Sequence, residues 1–278
     1  MVKIGVIKCG NIGISPVLDL LFDEIAERED ITFRVVGSGP KLTPEHCEEA
    51  TKLMLDIKPD LIMFTSPNTS LPGPKKSRDM IQTAGIPAIY FSDHPGKKAK
   101  EVKEEIAGRG MGYFIIKPDS MIGAKRPFLD PVEMCLYNSD VLRVLAICGV
   151  VNLIVDIVDK VIDQLKAGSK PELPQIVINR NKALKAARFS NQYAKCKASA
   201  ALDAAERVSG ISVEGCFMVK GRENYLPVVG SAHELMRMAA KLADEAREIE
   251  KANDSVLRRP HAKDGKLLEK REFLAKPV

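Results

Sequence analysis

Val2-Lys3-Ile4-Gly5-Val6-Ile7-Lys8-Cys9-Gly10-Asn11-Ile12-Gly13 is the stretch that decides the fold class. Its apolar run lacks polar alternation, as a strand covered on both faces should. A glycine-bearing turn follows. Ser15-Pro16 then reads as N-cap and first-turn proline of a helix, with Leu18, Leu21, Phe22 and Ile25 at helical spacing. The same unit recurs downstream. Thr32 to Gly37, Asp60 to Phe64, Ala88 to Phe91 and Gly112 to Ile116 are further strands, and Thr43-Pro44 repeats the helix-start device. Strand and helix in alternation predict an α/β fold, a Rossmann-like parallel sheet with right-handed crossovers spanning residues 1–129. Ligands of such sheets bind beyond the carboxyl ends of the strands.

After Lys117 the pattern turns helical. Asp130-Pro131-Val132-Glu133 is a capping box with proline at the first helical position. Val151 to Leu165 predicts a long amphipathic helix, and Leu184 to Arg207 one or two more. Ile211 to Val219 and Tyr225 to Val229, joined through Lys220-Gly221-Arg222-Glu223-Asn224, predict a small β-hairpin. Ser231-Ala232-His233-Glu234 is a second capping box, expected to open a helix running to about Ala252. Residues 130–278 are therefore expected to form a helical bundle segment with a small hairpin and a C-terminal tail.

Composition narrows the function classes. With 45% hydrophobic and 28% charged residues in 278, collagen-like and disordered chains are excluded. The formal charge is +5, and from Arg258 to Val278 seven Lys and Arg face three Asp and Glu, so the surplus lies in the tail. That tail has no aromatic beyond Phe273 and no recognised motif, so no nucleic-acid partner is indicated. No run of about 18 apolar residues exists to span a membrane, and the chain enters directly into a strand rather than a leader; a cytoplasmic protein is expected. The six cysteines form no C-x-x-C pair, which speaks against zinc and a disulfide framework.

The first turn departs from the dinucleotide fingerprint. Gly10 and Gly13 stand where glycines are needed, but Lys8 holds the first place, and Val36-Gly37-Ser38-Gly39-Pro40 offers no acid for the ribose hydroxyls. Ordinary NAD is disfavoured. Lys75, Lys76 and Arg78, and likewise Lys97, Lys98 and Lys100, begin helices at the carboxyl edge, where cations oppose the helix dipole. They suit either an anionic ligand or a solvated charged face. Residues 117–131 form a long charged, proline-rich loop where a cleft between the two parts is expected to open. Of the four histidines, His94 beside Asp93 is the best candidate for function. His233 is followed by Glu234, but Arg237 replaces the second histidine of H-E-x-x-H, so His233 reads as a helix-start residue. No nucleophile and no metal site stands out, which describes a chain that positions ligands carrying their own reactivity.

Longer motifs now become informative. They include Val6-Ile7-Lys8-Cys9-Gly10-Asn11-Ile12-Gly13, Pro67-Asn68 with Pro72-Gly73-Pro74, and Lys117-Pro118-Asp119 with Phe128-Leu129-Asp130-Pro131-Val132-Glu133-Met134. Later come Ser212-Val213-Glu214-Gly215-Cys216, Ser231-Ala232-His233-Glu234, and Asn253-Asp254-Ser255-Val256-Leu257-Arg258 with Pro260-His261-Ala262. Together they resemble the archaeal methylene-tetrahydromethanopterin dehydrogenases that use the deazaflavin coenzyme F420, over nearly the whole chain. The resemblance implies reversible hydride transfer from the methylene carbon of tetrahydromethanopterin to C5 of oxidised F420, giving the methenyl cation and reduced coenzyme. It also implies F420 as co-substrate with no metal, flavin or NAD, a homohexamer built as a trimer of dimers, and a place in carbon dioxide reduction to methane. An NAD(P)-linked dehydrogenase and a non-enzymatic α/β ligand-binding module are the competing readings.

Loop position selects the site candidates. For the coenzyme these are Gly10, Asn11, Ile12, Gly13, Ser66, Pro67, Asn68, His94, Lys117, Pro118 and Arg126. A carboxylate facing the pterin would stabilise the product cation, and Asp93, Asp119 and Glu133 are the candidates. Lys125 joins Lys117 and Arg126 as a possible holder of anionic ligand tails.

Overall fold

The computed structural model describes residues 1–93, 98–120 and 130–278. Six strands form one sheet in the order β2-β1-β3-β4-β5-β6: β1 (Val2–Lys8), β2 (Ile31–Gly37), β3 (Leu61–Thr65), β4 (Ala88–Ser92), β5 (Gly112–Ile116) and β6 (Gln175–Ile178). The pairs β1–β2, β1–β3, β3–β4 and β4–β5 are all parallel. Tyr113 donates to the Pro174 carbonyl at 2.6 Å and Lys117 to Ile178 at 3.1 Å, so β6 runs the same way. The sequence reading did not foresee β6. Its four residues are too short and too exposed to register as an apolar run.

β3, β4 and β5 are buried at every position, the physical reason their sequences lack alternation. The chain forms two compact units. The first comprises residues 1–116, 155–177 and 260–267. In it, α2 (Pro44–Ile57), α3 (Pro72–Ala84) and α4 (Ala99–Gly108) supply Cys47, Met54, Ile81, Val102 and Ile106 to a core with Ile7, Ile62, Phe64 and Tyr90 of the strands. Thr43 and Pro44 open α2 as expected. Ser15 is not the cap of α1 (Ile14–Leu20); that place is Gly13's. The Ser15 hydroxyl is buried and donates to Thr65 Oγ1 at 2.8 Å, so a tertiary partner took it from the helix end.

The second unit comprises residues 117–154, 178–259 and 268–278. It holds α5 (Pro131–Ile147), the start of α6 (Val150–Lys166), α7 (Arg180–Ala187), α8 (Gln192–Val213) and α9 (Arg222–Ala252). α8 and α9 lie along each other and α5 packs on both. The alanines at 194, 198, 201 and 205 of α8, and at 239, 240, 243 and 246 of α9, are all buried, which lets the two helices approach closely.

The expected β-hairpin does not exist. Residues 211–213 finish α8, Glu214–Met218 form a π-helical turn, and residues 225–229 lie in the first turns of α9. Gly221, at φ +85°, reverses the chain between two helices rather than two strands. The β-branched residues that suggested strands are outweighed by packing: Val229 is buried, and Gly215 fits against Val228 and Val229 with no room for a side chain. The second capping box falls inside α9, where the Ser231 hydroxyl donates to the Val228 carbonyl. The basic tail is folded onto its own chain. In the second unit, Arg258 bridges Lys270, and Arg271 donates to Ser190 and to the carbonyls of Arg188 and Ser255.

Candidate functional site

At the carboxyl edge of the first unit, three turns pack side by side. The Cys9 N–H donates to Thr65 at 2.9 Å, Ser38 to Lys8 at 2.9 Å, and Ser66 to Phe91 at 3.0 Å, so the loops after β1, β2 and β3 continue the sheet's hydrogen bonding. Gly10 has φ +75°, and a side chain there would meet Leu42 and Pro67 at 3.1 Å. Only glycine gives this turn both its hand and its fit. Gly10 is partly exposed and Asn11 exposed, while Ile12 and Gly13 are buried. Lys8 is held by Asp19 of α1, an ion pair no dinucleotide fingerprint would contain.

The loop after β3 carries the most telling chemistry. Ser66 and Thr69 are fully buried, and neither hydroxyl has a hydrogen-bond partner among the described residues. Ser92, at the end of β4, is the same. A buried hydroxyl without a partner costs about 1–3 kcal/mol, so three at one sheet edge make this edge the candidate place for polar ligand atoms. Pro67 is buried. Asn68 is half-buried, its Oδ1 accepting from the backbone and hydroxyl of Ser70. Arg78 of α3 fixes the loop from beneath. Its guanidinium is fully buried, donating to the Thr69 carbonyl at 2.6 Å and to both Glu105 oxygens at 3.3 Å.

Arg78 therefore serves the fold, not an anion, which corrects its grouping with Lys75 and Lys76; those two remain exposed. Lys100, which the sequence left open between an anionic ligand and a solvated face, lies 3.9 Å from Glu104 on an exposed face. Beneath the first turn, the Cys9 thiol donates to Cys47, and with burial this pushes Cys9 far above the ordinary thiol range. It is a core thiol, not a nucleophile. Asp93 follows β4 and is 7% exposed. His94, Lys97, Lys125 and Arg126 lie outside the described residues.

In the second unit the candidate carboxylates meet aromatic groups. Lys117 is half-buried, 3.8 Å from Glu206, and Pro118 is buried. Asp119 is fully buried, and its charge adds to burial in raising the Tyr137 phenol above its ordinary value. Asp130 caps α5 as expected, accepting from Val132 at 2.7 Å and Glu133 at 3.0 Å. Glu133 does not complete the box. Its carboxylate takes a hydrogen bond from His233 Nδ1 instead, and the imidazole packs against Tyr137, tilted by 35° with ring centroids 4.4 Å apart. His233 thus belongs to the carboxylate cluster, not to a helix start. Burial pulls its pKa below 6.5, with Glu133 only partly opposing. Glu133 and His233 lie a hundred residues apart, so no spacing rule could have paired them; only the two capping-box patterns marked the positions. Among the described residues no group of three or more His, Cys, Asp or Glu is placed to hold a metal ion. No single described helix is long and apolar enough to cross a membrane.

These features define a doubly wound α/β protein whose carboxyl edge presents backbone turns and buried hydroxyls, the edge where sheets of this class bind ligands. The particular family follows from comparison. The family model for methylene-5,6,7,8-tetrahydromethanopterin dehydrogenase matches residues 2–278. The F420-dependent methylenetetrahydromethanopterin dehydrogenase of Methanocaldococcus jannaschii is 54% identical over 278 residues, covering 100% of this chain and 99% of that protein. Those of Methanothermobacter marburgensis and Archaeoglobus fulgidus are each 53% identical, at the same coverage. A solved F420-dependent methylene-tetrahydromethanopterin dehydrogenase, in complex with methylene-tetrahydromethanopterin and coenzyme F420, superposes with a TM-score of 0.95 at 48% identity and full coverage of both chains. The chain belongs to the methylene-tetrahydromethanopterin dehydrogenase family.

Proposed function

We propose that this chain catalyses reversible hydride transfer between methylene-tetrahydromethanopterin and coenzyme F420. The full-length structural likeness to a family member solved with both of these molecules carries the reading. The chemistry asks little of the protein beyond placement. A nitrogen lone pair of the substrate pushes the hydride out, and the deazaflavin ring accepts it, so no nucleophile, metal or resident redox centre takes part. Holding two flat rings at near-attack distance supplies up to roughly 7–11 kcal/mol of the barrier reduction.

The chain's own residues divide the work as follows. The turns at Gly10 to Gly13 and Ser66 to Asn68, with Ser92 beside them, hold coenzyme through backbone and hydroxyl groups; the partnerless hydroxyls of Ser66 and Ser92 support this. Lys117 and Pro118 belong to the same assignment, as do His94 and Arg126. A carboxylate stabilises the methenyl cation as the hydride leaves. Glu133 is favoured over Asp119 and Asp93 because its side chain keeps 29% of its surface exposed, whereas they are 0% and 7% exposed. The enzyme acts as a homohexamer in the cytoplasm, within carbon dioxide reduction to methane.

Mixing the protein with methylene-tetrahydromethanopterin and oxidised F420, with no NAD or added metal, should bleach the deazaflavin absorbance. No bleaching with both substrates present rejects the reading. Glu133→Gln should lower turnover more than it weakens binding, and Asp93→Asn and Asp119→Asn less so. Light scattering at six times the 30.5 kDa chain mass tests the hexamer.

A further inference from the structure

We propose that His233 is a positioning residue for the hydride transfer, an imidazole that fixes the Glu133 carboxylate without cancelling its charge. This rests on the reading of Glu133 as the carboxylate that stabilises the pterin cation. His233 comes from α9 and Glu133 from the first turn of α5, so the hydrogen bond pins a flexible three-torsion side chain to a second element.

The imidazole is itself held on its other side. It packs at a tilt against Tyr137, whose hydroxyl donates to the Ser120 carbonyl at 2.9 Å, while the Ser120 hydroxyl donates to the Ala205 carbonyl at 2.8 Å. His233, Tyr137 and Ser120 are all buried, so the platform beneath Glu133 moves only if α5, α8 and α9 move. The choice of donor matters. Lysine or arginine at this position would hold the carboxylate equally well but would neutralise it, and a neutralised carboxylate offers a developing cation little. A neutral imidazole orients and leaves the negative charge in place.

Among the described residues, Glu133 and Tyr137 of α5 and Glu234 on α9 act on His233, and Asp119 acts on Tyr137. Burial nevertheless keeps the ring's pKa below its ordinary value, consistent with a neutral donor at physiological pH.

The test compares steady-state kinetics of Glu133→Gln, His233→Leu, His233→Asn and the double variant Glu133→Gln/His233→Leu. Asparagine presents an amide N–H near the place of imidazole Nδ1; leucine presents none. His233→Leu should lose kcat by about 10- to 100-fold, the scale of a misplaced catalytic group, with KM for the methylene substrate within about twofold. His233→Asn should recover most of that loss. The double variant should be no slower than Glu133→Gln alone, because the imidazole acts only through the carboxylate. In the wild type, kcat should fall at acid pH as His233 protonates, and His233→Asn should lack that limb.

Full turnover of His233→Leu, or losses that multiply in the double variant, overturns the proposal while the Glu133 reading stands. Full turnover of Glu133→Gln overturns that reading itself. If His233→Leu does not fold, His233→Asn against His233→Gln decides, since glutamine sets its amide one bond farther out. Equal kcat for those two, with an unchanged acid limb, overturns the proposal.

Discussion

Replacing Arg78 by methionine tests how the loop after β3 is held. The substitution keeps the buried aliphatic stem and removes only the guanidinium. Two interactions go with it. The first is a charge-assisted hydrogen bond to the Thr69 carbonyl at 2.6 Å, fully buried, worth about 1.5–3 kcal/mol. The second is the pair with Glu105 at 3.3 Å. Glu105 keeps 24% of its side-chain surface and retains Arg109 at 3.1 Å, so that loss is discounted to about 1 kcal/mol. The guanidinium also lies 5.8 Å from the Tyr90 ring centroid, a contact methionine replaces in part with its sulfur. The expected total is about 2–4 kcal/mol, or roughly 3–7 °C in Tm for a chain of this size. Urea unfolding and calorimetry read the stability, and the KM for F420 reads the loop, because Thr69 sits within it. The KM should rise several-fold with kcat nearly unchanged. A variant within 0.5 kcal/mol of wild type with an unaltered KM refutes the idea that Arg78 holds this loop.

Other perturbations have equally definite outcomes. Gly10→Ala forces a side chain into a positive-φ turn against Leu42 and Pro67, costing about 1–2 kcal/mol of backbone strain, and F420 affinity measured by fluorescence quenching should fall. Gly149→Ala is harsher: its Cβ would stand 2.2 Å from the Ala183 carbonyl oxygen at φ +94°, so roughly 2–5 kcal/mol should be lost in thermal unfolding without a specific effect on KM. His261 gives a pH dependence. Burial pulls its pKa down, but hydrogen bonds to Asp159 and Glu24 prevail and leave it raised, so the charged ring stabilises the folded state fully below about pH 6.5. That contribution disappears as pH rises through the raised folded value. Melting curves of wild type against His261→Gln should therefore converge on the alkaline side; a constant difference across pH contradicts the assignment.

The parallel sheet was legible because fully buried strands must be apolar throughout, and Ile4 to Ile7, Leu61 to Phe64 and Phe114 to Ile116 obey that rule. β6 was not, since Gln175–Ile178 is four residues with one fully buried. The hairpin reading failed where local preference and packing disagree: Ile211, Val213, Val228 and Val229 favour strands alone, and α8 packed on α9 makes them helical. The candidate site was half legible. Ser66 and Gly10 could be reached from loop position, since any carboxyl-edge turn is a candidate. Arg78 looked like a ligand-holding cation because sequence shows charge but not direction. His233 looked like a helix start because its meaning lies in a partner a hundred residues away.

The division of the tail between the two units bears on how the chain comes off the ribosome. Residues 260–267 complete the first unit and 268–278 the second. His261 sits between Glu24 and Asp159, and Lys166 reaches Asp30 and the Asp264 carbonyl, so charges laid down early wait for partners translated much later. Neither unit is complete until residues 260–278 have been made, and contacts of such sequence separation form late. A nascent chain stalled before Pro260 should therefore expose both units to proteases, and emergence of residues 260–278 should protect them together.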